Sequence, residues 1–263
     1  MLTNFVQKSF DKASKSYHSA SHIQKDMALN LDKKLDLLVK NSKFNTKFLD
    51  VLELGSGTGN LTYHLIKKHY IKSLFINDLS KSMLDECKLN IKKAFFDKDL
   101  NNLKTAFVQG DFTYLVFDRK FDVVISNAML QWCSDLPSTF NKFKSFLKPQ
   151  GIMLLSTFGP NNFMEFKDSL NITLNYAKKD YIKDTLESLG FNVIIEDHCF
   201  KEYFDSVEDL LSYLKSTGVS CIKDKPLTIS KLKAFIKYYD THYKDDLGVY
   251  VTWHPLFIKA SLQ

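Results

Sequence analysis

A doubly wound α/β fold, with a mainly parallel sheet covered by helices on both faces, is the class this sequence predicts. Three observations carry it. Short apolar runs alternate with helical stretches between residues 48 and 157, the pattern of βα units. The first run ends in a glycine-rich turn that opens a helix. The fourth, Phe121–Ser126 (FDVVIS), is nearly continuous in apolar residues, as suits a strand buried on both faces.

The elements follow in order. Residues 1–40 read as an N-terminal helical arm. The first strand is 48–54 (FLDVLEL), followed by the helical pattern LTYHLIKKH. The second is 73–76 (SLFI), ending at Asn77 and Asp78, with a helix from Lys81 to about Phe96. The third is 105–109 and the fourth 121–126; a helix ending at Lys148 and Pro149 then leads to the fifth, 151–157 (GIMLLST). Beyond residue 158 the spacing predicts a helix over 180–189 stopped by Gly190, a strand over 191–196, helices over 206–217 and 228–241, and a last strand at Gly248–Trp253. A single domain of residues 1–263 is expected, with the arm and a helical insertion, 205–246, both placed to act as lids.

Composition bounds the function. Of the 263 residues, 44% are hydrophobic and 25% charged, which excludes wholesale disorder. No run approaches the roughly 18 apolar residues of a membrane span, and the N-terminus lacks a secretory apolar core. Cys87, Cys133, Cys199 and Cys221 lie far apart with no CxxC pair, so neither a zinc knuckle nor a disulfide framework is expected, and a reducing cytoplasm is. The net charge is +6, yet Arg119 is the sole arginine. Base reading and phosphate clamping favour the rigid fork of arginine, so a sequence-specific nucleic-acid partner is not expected. Lysines concentrate in residues 1–47 (nine Lys, four Asp) and 222–237 (five Lys, one Asp). Each stretch reads either as a solvated surface or as a docking face for an acidic partner.

The strongest local signal is VLELGSGTGN, residues 51–60. A strand feeding a tight glycine turn brings backbone close to a ligand and points helix N–H groups at it. The dinucleotide fingerprint wants glycine at the sixth position of the turn; here that position is Asn60, after Gly55, Gly57 and Gly59. Glu53 precedes the loop, where a pyrophosphate would be repelled and a cationic sulfonium or amino group would not. Asp78, 19 residues after Gly59, ends the second strand, where a carboxylate can accept both ribose hydroxyls. Gly110-Asp111-Phe112 ends the third, with an acceptor for an adenine amino group and a ring beside it. This order points to S-adenosylmethionine as cofactor, and here the chain resembles the class I S-adenosylmethionine-dependent methyltransferases over roughly residues 48–200 plus the last strand. The resemblance implies a seven-stranded Rossmann-like sheet, with Leu79, Met83 and Asn127 joining the cofactor site. Ser56, where many members carry Cys, and Glu53 in place of Asp are departures.

The reactive end should follow the fourth strand, at SNAMLQWC, residues 126–133. Amine and amide methylases often carry an Asn/Asp-Pro-Pro-aromatic turn there; Asn127-Ala128-Met129 stands in its place, which disfavours that chemistry. No HExxH is present, and His18 and His22, four apart on the arm, read as helix-surface histidines rather than metal ligands. Five further stretches belong together: FDKASKSYHSASHIQ from Phe10 to Gln24, Asp78-Leu79-Ser80 with Met83-Leu84, SNAMLQWC with Asp135-Leu136, Ser156 to Pro160, and LSYLKSTG from Leu211 to Gly218. In these the chain resembles, across nearly its whole length, the malonyl-acyl-carrier-protein O-methyltransferases of biotin synthesis. The KPQG at 148–151 replaces the commoner KPGG.

The resemblance implies methyl esterification of a malonyl carboxylate on an acyl carrier protein. Such a carboxylate is ionised at neutral pH and needs no general base. Anion and sulfonium meet and both charges vanish, so proximity and water exclusion supply most of the rate. Tyr17, Gln24, Gln131 and Trp132 are expected to hold the carboxylate and keep water out; Trp132 can also be read as core packing. Arg119 precedes the fourth strand and so belongs to the wrong end of the sheet. The competing readings are a methyltransferase for a free small acid or malonyl-coenzyme A, a non-catalytic module with a relic cofactor loop, and a nucleic-acid modifier. Intact Asp78, Asp111 and SNAMLQWC speak against the relic.

Overall fold

The structure, a computed structural model, describes residues 2–41, 44, 48–95, 103–170, 176–217 and 228–262. The five apolar runs are strands β1 (Leu49–Leu54), β2 (Ile71–Asp78), β3 (Lys104–Gln109), β4 (Phe121–Ser126) and β5 (Leu147–Phe158), paired in parallel. Helices α1 (Leu2–Ala20) and α2 (His22–Lys40) precede them; α3 (Thr62–Leu65), α4 (Lys81–Ala94) and α5 (Leu136–Phe146) connect them. Then come α6 (Met164–Leu170), α7 (Lys179–Ser188), β6 (Phe191–Asp197), β7 (Phe200–Phe204), α8 (Val207–Ser216), α9 (Ile229–His242), β8 (Lys244–Asp245), β9 (Gly248–Trp253) and β10 (Pro255–Leu262). Among the described residues, no helix is long and apolar enough to cross a membrane.

The main sheet has seven strands in the order β3-β2-β1-β4-β5-β10-β6, with β10 antiparallel to both neighbours. Successive strand residues face opposite ways, so Val51, Val123, Ile125 and Leu154 feed one apolar cluster and Leu52, Leu54, Val124 and Leu155 the other. Leu31 and Leu35 of α2 and Leu84 of α4 complete the first; Phe140 and Phe143 of α5 and Leu186 of α7 complete the second. The chain runs outward from β1 to β3, then returns to lay β4 against β1. That reversal opens a crevice at the carboxyl ends of β1 and β4, where open α/β sheets take their ligands.

Three expectations are corrected. Gly248–Trp253 is not the last strand of the main sheet: it is the centre of a separate antiparallel sheet, β7-β9-β8, and Pro255–Leu262 takes its place between β5 and β6. Two strand-forming segments meet at His254, and only long-range pairing decides which joins the main sheet. The insertion is accordingly not purely helical, since α8 and α9 are framed by this small sheet. Finally, the arm is not one unit. α2 buries Ala28, Leu31 and Leu35 completely and is a wall of the core, so only α1 lies over the crevice as a cover. Lys223, Lys225 and Cys221 lie outside the described residues.

Candidate active site

The crevice is a cavity of about 420 Å³, within the range of small-ligand pockets. Its floor is the loop after β1. Gly55 has φ +69°, and a Cβ there would lie 2.7 Å from Met129 Cγ, so glycine is required by both backbone and space. The Gly57 N–H donates to Asp78 Oδ2 at 2.7 Å and the Ser80 N–H to Oδ1 at 2.8 Å. These bonds fix the carboxylate at the end of β2, where it lines the cavity. Burial pushes Asp78 up to about 6 against the pull of those N–H groups, and Asp11 of α1, which accepts from the Ser80 hydroxyl, adds to the rise.

Leu79, Met83, Asp111 and Phe112 line the same cavity. Asp111 Oδ1 caps the turn after β3 by accepting the Thr113 N–H at 2.9 Å, and Phe112 meets Phe143 edge to face at 5.2 Å. Asn127 also lines it; its Nδ2 donates to the Gln24 carbonyl and its Oδ1 accepts from the Ser156 hydroxyl, which ties β4, β5 and α2 together. Two expected residues stand behind the cavity instead. Glu53 is buried under the loop, where its carboxylate accepts from the Thr62 hydroxyl at 2.7 Å, and burial followed by the Asp78 charge pushes it up to about 8. Gly59, with φ +94°, faces α4; a Cβ there would lie 2.8 Å from Cys87 Sγ.

A smaller chamber of about 20 Å³ adjoins this cavity. Phe10, Tyr17, Ala128 and Trp132 line both, and Gln24 and Gln131 line the chamber, so the four residues expected at the reactive end do converge. Phe10 and Tyr17, seven apart on one face of α1, pack edge to face at 6.0 Å, and Phe10 meets Trp132 at 5.3 Å. Trp132 is therefore a cavity wall rather than core packing. Gln131 is partly committed to the turn: its Nε2 donates to the Ala128 carbonyl, and its Oε1 accepts from Thr157 at 3.2 Å. Ala128, with φ +51°, needs that support. The Gln24 Oε1, buried, has no hydrogen-bond partner among the described residues.

Phe10, Asp11, Asn162, Tyr176 and Trp253 were not among the sequence candidates, yet all except Asp11 line a cavity and Asp11 touches Ser80. Phe10 had a legible signal, its i, i+7 relation to Tyr17. Asp11 follows it on α1, while Asn162, Tyr176 and Trp253 are brought in by the meeting of distant segments, which no local pattern announces. His18 and His22 take separate partners, Thr58 Oγ1 at 3.3 Å and Glu202 Oε1 at 2.5 Å. Arg119 is at the opposite end of β4, beside Phe75.

Residues 45–187 match the family model described as a methyltransferase domain. The malonyl-[acyl-carrier protein] O-methyltransferase of Calditerrivibrio nitroreducens is 33% identical over 99% of this chain and 97% of its own length. That of Haemophilus ducreyi is 33% identical over 85% of this chain and 84% of its own. Among solved structures, magnesium protoporphyrin IX methyltransferase from Synechocystis, with bound SAH, superposes with a TM-score of 0.63 at 14% identity, over the whole of both chains. A putative methyltransferase from Bacillus halodurans gives 0.61 at 18% identity, over 85% of this chain and 96% of its own. At these identities the structural likeness establishes the fold.

Proposed function

The chain belongs to the malonyl-[acyl-carrier protein] O-methyltransferase family, and on that premise we propose that it esterifies the free carboxylate of a malonyl group carried on an acyl carrier protein, with S-adenosylmethionine as methyl donor. The observation that carries the mechanism is the make-up of the chamber. Its described lining contains no carboxylate, histidine, lysine or arginine; the only titratable groups are Tyr17 and Tyr176. Burial raises both phenols well above their ordinary range, with Asp78 adding to the rise of Tyr17, so both stay protonated. A lining without a base suits a nucleophile that is already an anion and poorly suits an amine or hydroxyl that must lose a proton.

The larger cavity fits the cofactor. Asp78 offers a fixed carboxylate to accept from a ribose diol, Asp111 an acceptor and Phe112 a ring for adenine, and the backbone at Gly55 and Gly57 has room for close approach. S-Adenosylmethionine supplies, when bound, an electrophilic methyl group on a cationic sulfonium. Phe10, Tyr17 and Trp132, shared by the two cavities, exclude water from the reacting groups, and Gln24 and Gln131 line the chamber that receives the acceptor. Masking the charge as a methyl ester lets chain extension treat the thioester as an ordinary acyl primer, and the start of biotin synthesis is the place we propose for this reaction. The test is transfer of labelled methyl to malonyl-carrier protein, malonyl-coenzyme A and free malonate side by side. Preference for carrier-bound malonate is expected, and no transfer to either thioester overturns the reading.

A further inference from the structure

Tyr176, in the segment before α7, lines the chamber beside Phe158 of β5 and Trp253 of β9. Asn162 Nδ2 donates to its hydroxyl at 3.0 Å, which occupies a lone pair and leaves the phenol's own proton without an acceptor among the described residues. Asn162 is itself held, with 1% of its surface exposed and its Oδ1 accepting the His254 backbone N–H at 3.2 Å. His254 is fixed in turn by Asp197 Oδ1 at 2.7 Å from Nε2 and by the Asn161 N–H, which donates to Nδ1 at 3.0 Å. Gly159 lies flat against that ring; a Cβ there would sit 2.7 Å from His254 Cε1. The phenol is therefore held by a chain of contacts reaching from the edge strand of the main sheet. In the same chamber the Gln24 carboxamide, 4% exposed, leaves its Oε1 unpartnered. A half-buried phenol with a proton to donate and a buried carboxamide with an unpartnered oxygen mark a ligand site.

We infer that Tyr176, oriented by Asn162, donates a hydrogen bond to the substrate carboxylate and determines recognition rather than rate. This rests on the esterification reading above. The carboxylate loses its charge as the methyl group arrives, so a hydrogen bond to it is stronger in the ground state than in the transition state. A lysine or arginine in the chamber would deepen the ground state further and slow the step; neutral donors bind the anion with a smaller penalty.

Tyr176→Phe removes the proton and keeps the ring. The KM for malonyl-carrier protein is expected to rise roughly 10- to 150-fold, the worth of a hydrogen bond to a charged group, while kcat holds or rises. The Kd of malonyl-carrier protein for the S-adenosylhomocysteine-loaded protein should rise by a similar factor, and the calorimetric Kd of S-adenosylhomocysteine should not change. Asn162→Ala should move KM the same way and add little in the double variant, because the two residues act as one unit. Unchanged KM and Kd, a fall in kcat at constant KM, or loss of S-adenosylhomocysteine binding in Tyr176→Phe each overturn the inference. A wild-type protein that transfers no methyl to malonyl thioesters overturns the functional reading itself; wild-type transfer with an indifferent Tyr176→Phe overturns only the role of Tyr176.

Discussion

Glu53 shows how burial sets chemistry at a single residue. Its carboxyl is pushed up to about 8 by burial and then by the Asp78 charge, although the Thr62 hydroxyl pulls the other way. The unfolded chain releases this proton near the ordinary 4.5, so between there and about 8 the folded state holds one more proton than the unfolded. Stability therefore falls as pH rises through that window, by at most about 1.4 kcal/mol per pH unit from this group. Glu53→Gln keeps an acceptor for Thr62 and removes the slope. Thermal midpoints of the ligand-free protein between about pH 6.5 and 8, above the range in which Asp78 titrates at about 6, should fall less in the variant than in wild type. Identical slopes would mean that Glu53 is ionised in the fold.

At the scale of elements, the division between α1 and α2 makes a sharp expectation. Ser21 joins them and is tied to Asn60 of the glycine loop, whose Nδ2 donates to its hydroxyl at 3.0 Å. α1 presents Phe10 and Tyr17 to the cavities; α2 fills the core with Ala28, Leu31 and Leu35. Deleting residues 1–20 should leave cooperative thermal unfolding and remove methyl transfer, because water then reaches the chamber. Deleting residues 1–40 should abolish folding. Each buried leucine contributes about 1.5–3 kcal/mol, a large share of a typical total of roughly 5–15 kcal/mol. Full activity in the shorter deletion would reduce α1 to packaging.

For the whole molecule, the excess of lysine becomes a question of where it is displayed. Lys8, Lys12 and Lys15 form an exposed stripe at i, i+4 and i+7 on α1, and Lys231, Lys233 and Lys237 are exposed on α9. α8 packs against both helices, and the Ser16 hydroxyl donates to the Ser216 carbonyl at 3.1 Å, so the cover and the insertion are neighbours. An acidic carrier protein would meet the α1 stripe beside the cavity that Phe10 and Tyr17 of the same helix line. Surface charges act weakly one by one but together steer encounter and make its rate salt-sensitive. The kcat/KM for malonyl-carrier protein should fall as salt rises, and further in a Lys8/Lys12/Lys15→Glu variant, while malonyl-coenzyme A, which has no protein surface, responds differently. Equal sensitivity for the two substrates would leave these lysines as a solvated face.

The parallel strands, the glycine turn, and Asp78 and Asp111 at successive strand ends were legible in the sequence because each is a local pattern: a buried strand is an apolar run, and a ligand loop needs glycine where φ is positive. Phe10 was within reach of the same reasoning through its helical spacing to Tyr17. What only the tertiary structure decided depends on distant segments meeting. β9 and β10 are both plausible strands, and pairing with β5 and β6 selects Pro255–Leu262 for the main sheet. That choice carries His254 to Asn162, and Asn162 to Tyr176. Glu53 and Gly59 stood in the right motif, but the turn of the loop directs them to the protein interior, away from the cavity. Sequence specifies which side chains a strand end offers; the packing of β10 and α2 against it determines which of them face the ligand, because side-chain direction follows from register and burial, and these belong to the whole chain.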